Sequence, residues 1–203
     1  MQRTFLGPLG SLPVRKWETI LLVAAVGMLL GGCTVTSFLG RQYTNFTTYY
    51  NGFHNAEKAF EKGLKQISTD DPSIDRTRYL SVFRKSKTNT DSNSFDETIQ
   101  KSADGLRNSP DSKWVDDALL LIAKSYFYQQ NYLGARQKFQ EAISLDTERK
   151  KEARFGLART FLASKRYEKA EEAIRTGMQG EDAGPWAARL YLVKGELHTR
   201  RGE

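Results

Sequence analysis

Hydrophobic residues fall along this chain in two patterns. The first is an unbroken run from Ile20 to Leu30. The second is periodic and fills the C-terminal half. Leu119, Ile122, Ala123 and Tyr126 stand at i, i+3, i+4 and i+7, which places them on one face of an amphipathic helix. Ala135, Phe139, Ala142 and Ile143 continue the helical spacing in a second segment, and the polar triplet Gln129-Gln130-Asn131 between them predicts a turn. A small residue at Ala123 suits a close helix crossing, and Ala135 suits its counterpart.

The periodic half then repeats itself. An offset of 35 residues carries Ile122 onto Leu157, Ala123 onto Ala158, Tyr126 onto Phe161, Tyr132 onto Tyr167, Ala135 onto Ala170, Phe139 onto Ile174 and Ala142 onto Gly177. Ser164-Lys165-Arg166 takes the place of the first turn. The unit resembles the tetratricopeptide repeat, a helix-turn-helix of about 34 residues. That resemblance implies an all-α fold in which hairpins stack into a short right-handed superhelix, because no single hairpin buries its apolar face. A third unit is expected after Gly184-Pro185, with Gly195 in the place of Ala123 and Ala158. Its first helix is expected to leave Leu190, Tyr191 and Val193 short of cover, as the start of an array that continues or needs a partner there.

Upstream, Phe38, Tyr43, Phe46, Tyr49, Tyr50, Phe53 and Phe60 make an aromatic-rich stretch. Phe53, Ala56, Phe60 and Gly63 keep the spacing of Tyr132, Ala135, Phe139 and Ala142, which predicts a degenerate second helix of a repeat. Residues 67–93 turn to Ser, Thr, Asp and Asn around one apolar island, Tyr79 to Phe83, and are expected to form a loop with a short extended segment. Ser94 and Glu97 have capping-box spacing and predict a helix to about Leu106, ended by Asn108-Ser109-Pro110. The expected organisation is a leader over 1–32, an aromatic helical segment over 33–66, the loop over 67–93 and about two and a half repeats over 94–203.

The apolar run acquires a meaning from its flanks. Arg3, Arg15 and Lys16 precede it, and Leu30-Gly31-Gly32-Cys33 follows, with the chain's one cysteine. Eleven residues are too few for a membrane span of about 20, and the whole resembles a bacterial lipoprotein signal. That resemblance implies cleavage between Gly32 and Cys33, a covalent lipid on the Cys33 thiol and on the new amino terminus, and a mature chain of 171 of the 203 residues. Thr34 rather than aspartate after the cysteine favours the outer membrane, periplasmic face.

Removal of the leader lowers the formal net charge from +7 to +5. This charge is spread evenly, without the basic block and interleaved aromatics of a nucleic-acid tracker. His54 and His198 are the only histidines and lack partners at metal-ligand spacing. No nucleophile elbow, phosphate-cradling glycine loop or zinc-protease helix occurs. The expectation is a protein without catalytic residues, metal, cofactor or small-molecule substrate, whose only attached group is the lipid on Cys33.

Three stretches together resemble the N-terminal part of the SprE/PorW lipoproteins. They are Phe38 to Asn51 following Cys33, Phe95 to Ser102, and Lys113 to Ile122, of which Lys113-Trp114-Val115-Asp116-Asp117, leading into the repeat, is the most specific part. The likeness implies an interaction scaffold in a gliding-motility or type IX secretion apparatus, with other proteins of a membrane complex as partners. A second resemblance, in length, anchor and repeats, is to BamD-type lipoproteins, which assist outer-membrane barrel assembly; a structural subunit of a membrane complex is the third reading. Projected on repeat geometry, Asp117, Leu120, Lys124, Phe127 and Tyr128 from the first unit and Glu152, Phe155, Arg159 and Leu162 from the second face a concave groove. Lys124 and Arg159, equivalent positions one repeat apart, are expected to take a partner's carboxylate together.

Overall fold

The computed structural model describes residues 40, 52–69, 92–179 and 184–202. The chain divides into two units, Met1–Tyr43 and Thr44–Glu203. Of the first only Gly40 is described, helical and exposed. The leader with Gly32 and Cys33, the aromatics from Phe38 to Tyr50 and the island Tyr79 to Phe83 lie outside the described residues.

Among the described residues the second unit is all-α. Its helices are α1 (His54–Thr69), α2 (Ser92–Asn108), α3 (Val115–Tyr128), α4 (Tyr132–Ser144), α5 (Lys150–Ala163), α6 (Tyr167–Met178) and α7 (Gly184–Arg201). Each packs on the next in chain order, and α1, α3, α5 and α7 also touch in sequence. The odd helices therefore form an inner row, backed by α2, α4 and α6. Stacked hairpins of the tetratricopeptide kind follow from the sequence period.

Both predicted turns are present, and both close in the same way. After α3 the N–H of Gln130 donates to Phe127 O at 3.0 Å and that of Asn131 to Tyr126 O at 2.8 Å. One repeat later Lys165 donates to Leu162 O at 3.1 Å and Arg166 to Phe161 O at 2.9 Å. This pair of bonds is the Schellman helix stop. It holds Gln130 and Lys165 in the left-handed region, at φ of 61° and 59°. Asn131 adds a cap by accepting from the Gly134 N–H at 3.1 Å, whereas Arg166 makes no side-chain cap.

Ala123, Ala135, Ala142, Ala153, Ala158 and Ala170 are all fully buried, as close crossings require. Between them stands Phe139, 2 % exposed, which reaches from α4 across to Gly156 on α5. A side chain at Gly156 would collide with its ring. Phe139 thus fills the gap between the two units, as its place in the repeat predicts.

Three expectations are corrected. Helix α1 touches α2 and α3, so it occupies the row of first helices rather than a second-helix place. The spacing of Phe53, Ala56, Phe60 and Gly63 is common to both helix types and does not distinguish them; α2 crosses at Ala56 and Gly63, through Thr98 and Phe95. Helix α2 begins at Ser92, which puts Ser94 inside its first turn rather than at the cap. In α7, Leu190 and Val193 are buried, at 1 % and 0 %, and only Tyr191 of the expected trio is exposed.

The burial pattern explains the last point. Leu190, Val193 and Leu197 take the places of Ala153, Gly156 and Thr160, so α7 follows α5 at a register of 37, the offset that the expected place of Gly195 implies. Gly195 then falls where Ala158 stands, with nothing within 4 Å of a Cβ built on it. Lys194 and His198 occupy the places of Leu157 and Phe161. Helix α7 buries Leu190, Val193 and Leu197 with Glu196 among them, and leaves Tyr191 and Leu192 exposed.

Candidate partner-binding groove

The inner helices carry aromatic and cationic residues on one face. On α3 Lys124, Phe127 and Tyr128 stand at i, i+3 and i+4; on α5 Glu152, Phe155, Gly156 and Arg159 stand at i, i+3, i+4 and i+7; on α7 Trp186 and Arg189 are one turn apart. Together with Phe60 and Phe139 they line a cavity of about 210 Å³.

The aromatic wall is continuous. Tyr128 stacks on Phe95 at 5.6 Å between centroids and nearly parallel, and meets Phe60 at 5.9 Å and Phe127 at 5.6 Å. On the opposite side Phe155 meets Trp186 at 5.7 Å. Each wall carries a guanidinium over a ring, a geometry attractive by cation–π interaction. Arg159 Cζ lies 4.4 Å from the Phe127 centroid and 5.6 Å from Tyr128, and Arg189 Cζ lies 4.4 Å from Trp186 and 6.0 Å from Phe155.

Beside the cavity runs a ladder of opposite charges. Lys124 pairs with Glu152, Arg149 bridges to Asp117 at 2.7 Å and to Glu152 at 3.5 Å, and these bonds tie α3 to the start of α5. Burial of the Asp117 carboxyl raises its pKa above the ordinary value, and the Arg149 guanidinium beside it offsets this only in part.

Among the residues expected in the groove, Lys124, Phe127, Tyr128, Phe155 and Arg159 line the cavity, as does Glu152. Asp117 is engaged in the ladder beside it. Leu120 and Leu162 are corrected: at 2 % and 1 % exposure they belong to the core beneath. Each projects along the same helix side, but the neighbouring helices cover it. The joint carboxylate clamp of Lys124 and Arg159 is corrected as well, because Lys124 is spent on Glu152. The second cation at the mouth is Arg189. Sequence reasoning missed Arg189, Trp186, Phe60, Phe139 and Gly156; the 37-residue register carries Glu152 onto Arg189 and Arg149 onto Trp186, which would have found two of them.

Residues 126–191 match the tetratricopeptide repeat family. The match runs from the end of α3, through both turns, to the middle of α7. No curated protein matches the chain. A tetratricopeptide array is typically a scaffold for binding other proteins and not an enzyme, and the groove described above lies on its inner row. Among the described residues no cluster of His, Cys, Asp and Glu has the makings of a metal site, and no helix is long and apolar enough to cross a membrane.

Proposed function

We propose that this protein is a lipid-anchored tetratricopeptide adaptor that holds a partner protein at the periplasmic face of the outer membrane. The groove carries the reading: six aromatic residues from α1, α3, α4, α5 and α7 and two guanidiniums set close to rings gather around one cavity on the inner row. The anchor rests on the signal-like leader and on Leu30-Gly31-Gly32-Cys33, and the choice of membrane on Thr34. A place in a gliding-motility or type IX secretion apparatus rests on the resemblance of Phe38 to Asn51, Phe95 to Ser102 and Lys113 to Ile122.

A single acyl chain holds a protein on a membrane only reversibly, and stable anchoring takes a second. Lipid on both the Cys33 thiol and its amino group would meet that need. Cells grown with labelled palmitate are expected to label the chain and to leave a Cys33→Ser variant unlabelled and released from membranes. Label on the variant would overturn the anchor. A photocrosslinker at Phe155 should capture a partner from those membranes, and one at the outward Leu133 should not.

A further inference from the structure

We infer that the groove takes a partner segment carrying one bulky apolar side chain next to a carboxylate. The inference rests on the proposed scaffold function and names the chemistry of its ligand.

The cavity sets the size. At about 210 Å³ it is smaller than the roughly 300–1,000 Å³ of pockets that enclose drug-sized ligands or cofactors. One large side chain is the occupant it suits. Phe60, Phe127, Tyr128, Phe139, Phe155 and Trp186 surround it, so the favoured side chain is aromatic or long aliphatic. Leu192, 50 % exposed, stands on α7 at the place that Phe155 holds on α5.

The charges set the neighbour. Lys124, Arg159 and Arg189 against Glu152 leave the lining at net +2. Lys124 and Glu152 neutralise each other, and the exposed cation at the mouth, on the α7 wall, is Arg189. Both guanidinium carbons lie 4.4 Å from a ring centroid. A guanidinium carries five N–H donors, so attraction to a ring leaves it able to pair with a carboxylate. That attraction also fixes the side chain in advance, which lowers the ordering cost of binding. An acid adjacent to the inserted side chain would therefore meet Arg189 at the mouth.

The test is selection of short random peptides from a displayed library on the full-length chain, alongside Arg189→Glu and Phe155→Ala variants confirmed folded by circular dichroism. Arg189 is exposed, so its replacement leaves the core untouched. The wild-type chain is expected to enrich peptides with Phe, Trp, Leu or Met beside Asp or Glu, and synthetic versions of them should bind about tenfold more weakly when the acid is made Lys. Arg189→Glu should lose the acidic preference and Phe155→Ala the apolar one. Enrichment of basic or wholly polar peptides, abolished by Phe155→Ala, would overturn this ligand chemistry and keep the groove as a binding surface. No enrichment, or enrichment that both variants retain, would overturn the groove along with it.

Discussion

Replacing Gly156 by alanine should destabilise the array although alanine is the better helix former. A Cβ at this position overlaps Cε1 and Cζ of Phe139 and lies 2.8 Å from Cδ1. Phe139 borders the groove cavity on one side, but it is 2 % exposed and packs with Ala135, Ala142 and Ala153, all at 0 %. Overpacking a well-filled core costs about 1–3 kcal/mol, and a collision with a ring backed by buried alanines belongs in the upper half of that range. Against it stands the helix propensity gain from glycine to alanine, about 1 kcal/mol. The net loss is about 1–2 kcal/mol, or roughly 2–8 °C in Tm at the 2–4 °C per kcal/mol of a domain this size.

Gly195 supplies the control. It lies in helix α7, outside the left-handed region, with nothing within 4 Å of its Cβ site. The same substitution there keeps the propensity gain and meets no collision, so Gly195→Ala should raise Tm by roughly 1–4 °C, from about 0.5–1 kcal/mol. Thermal unfolding followed by far-ultraviolet circular dichroism measures both. Opposite signs are the expected result. If Gly156→Ala stabilises as Gly195→Ala does, Phe139 is not wedged between the units, and the account of the inter-unit core fails. A Phe139→Leu change should recover part of the loss in the Gly156→Ala background, as coupling between touching residues requires.

Two further predictions concern the ladder and the turns. Burial raises the Asp117 pKa in the folded state, so the stability it contributes is fully present below the unfolded value of about 3.9 and is lost as pH rises through the folded one. Across that window the urea midpoint of the wild-type chain should fall relative to Asp117→Asn, and a relative rise would mean that Arg149 outweighs burial. Asn131→Ala removes the cap to the Gly134 N–H and should cost about 1 kcal/mol, whereas Arg166→Ala at the equivalent turn removes no cap and should change stability by less than about 0.5 kcal/mol. Urea denaturation giving equal losses at the two turns would contradict the capping assignment.

The hairpins were legible because each of their determinants is local. Ile122, Ala123 and Tyr126 repeat at Leu157, Ala158 and Phe161 at one offset, and the polar triplets between helices stop them where the Schellman bonds form. Groove residues were legible by face but not by depth. Lys124, Phe127, Tyr128, Phe155 and Arg159 lie on the face that periodicity assigns to them, yet so do Leu120 and Leu162, and only the neighbouring helices decide which are covered. The pairing of Lys124 with Glu152 was hidden for a similar reason. The two residues are 28 apart in sequence and meet only once α5 has docked on α3.

The change of register before α7 accounts for the rest. In the step from α3 to α5, a spacing of 35 carries Lys124 onto Arg159; from α5 to α7, a spacing of 37 carries Arg159 onto Glu196. Glu196 is 2 % exposed and accepts from Arg200 Nε at 2.7 Å, while Arg200 also reaches Leu162 O at 3.5 Å. The cationic row therefore ends at α7 in a neutralised pair that ties α7 to α5. The same shift sets Trp186 and Arg189 opposite Phe155, at the mouth. A groove with arginines on both walls follows from the longer step in the repeat; a strict period of 35 would have put Gly184 and Ala187 where Arg149 and Glu152 stand. Neither supplies a ring or a charge. The irregularity in the repeat thus completes the second wall of the site, and it is the feature that a strictly periodic reading of the chain discards.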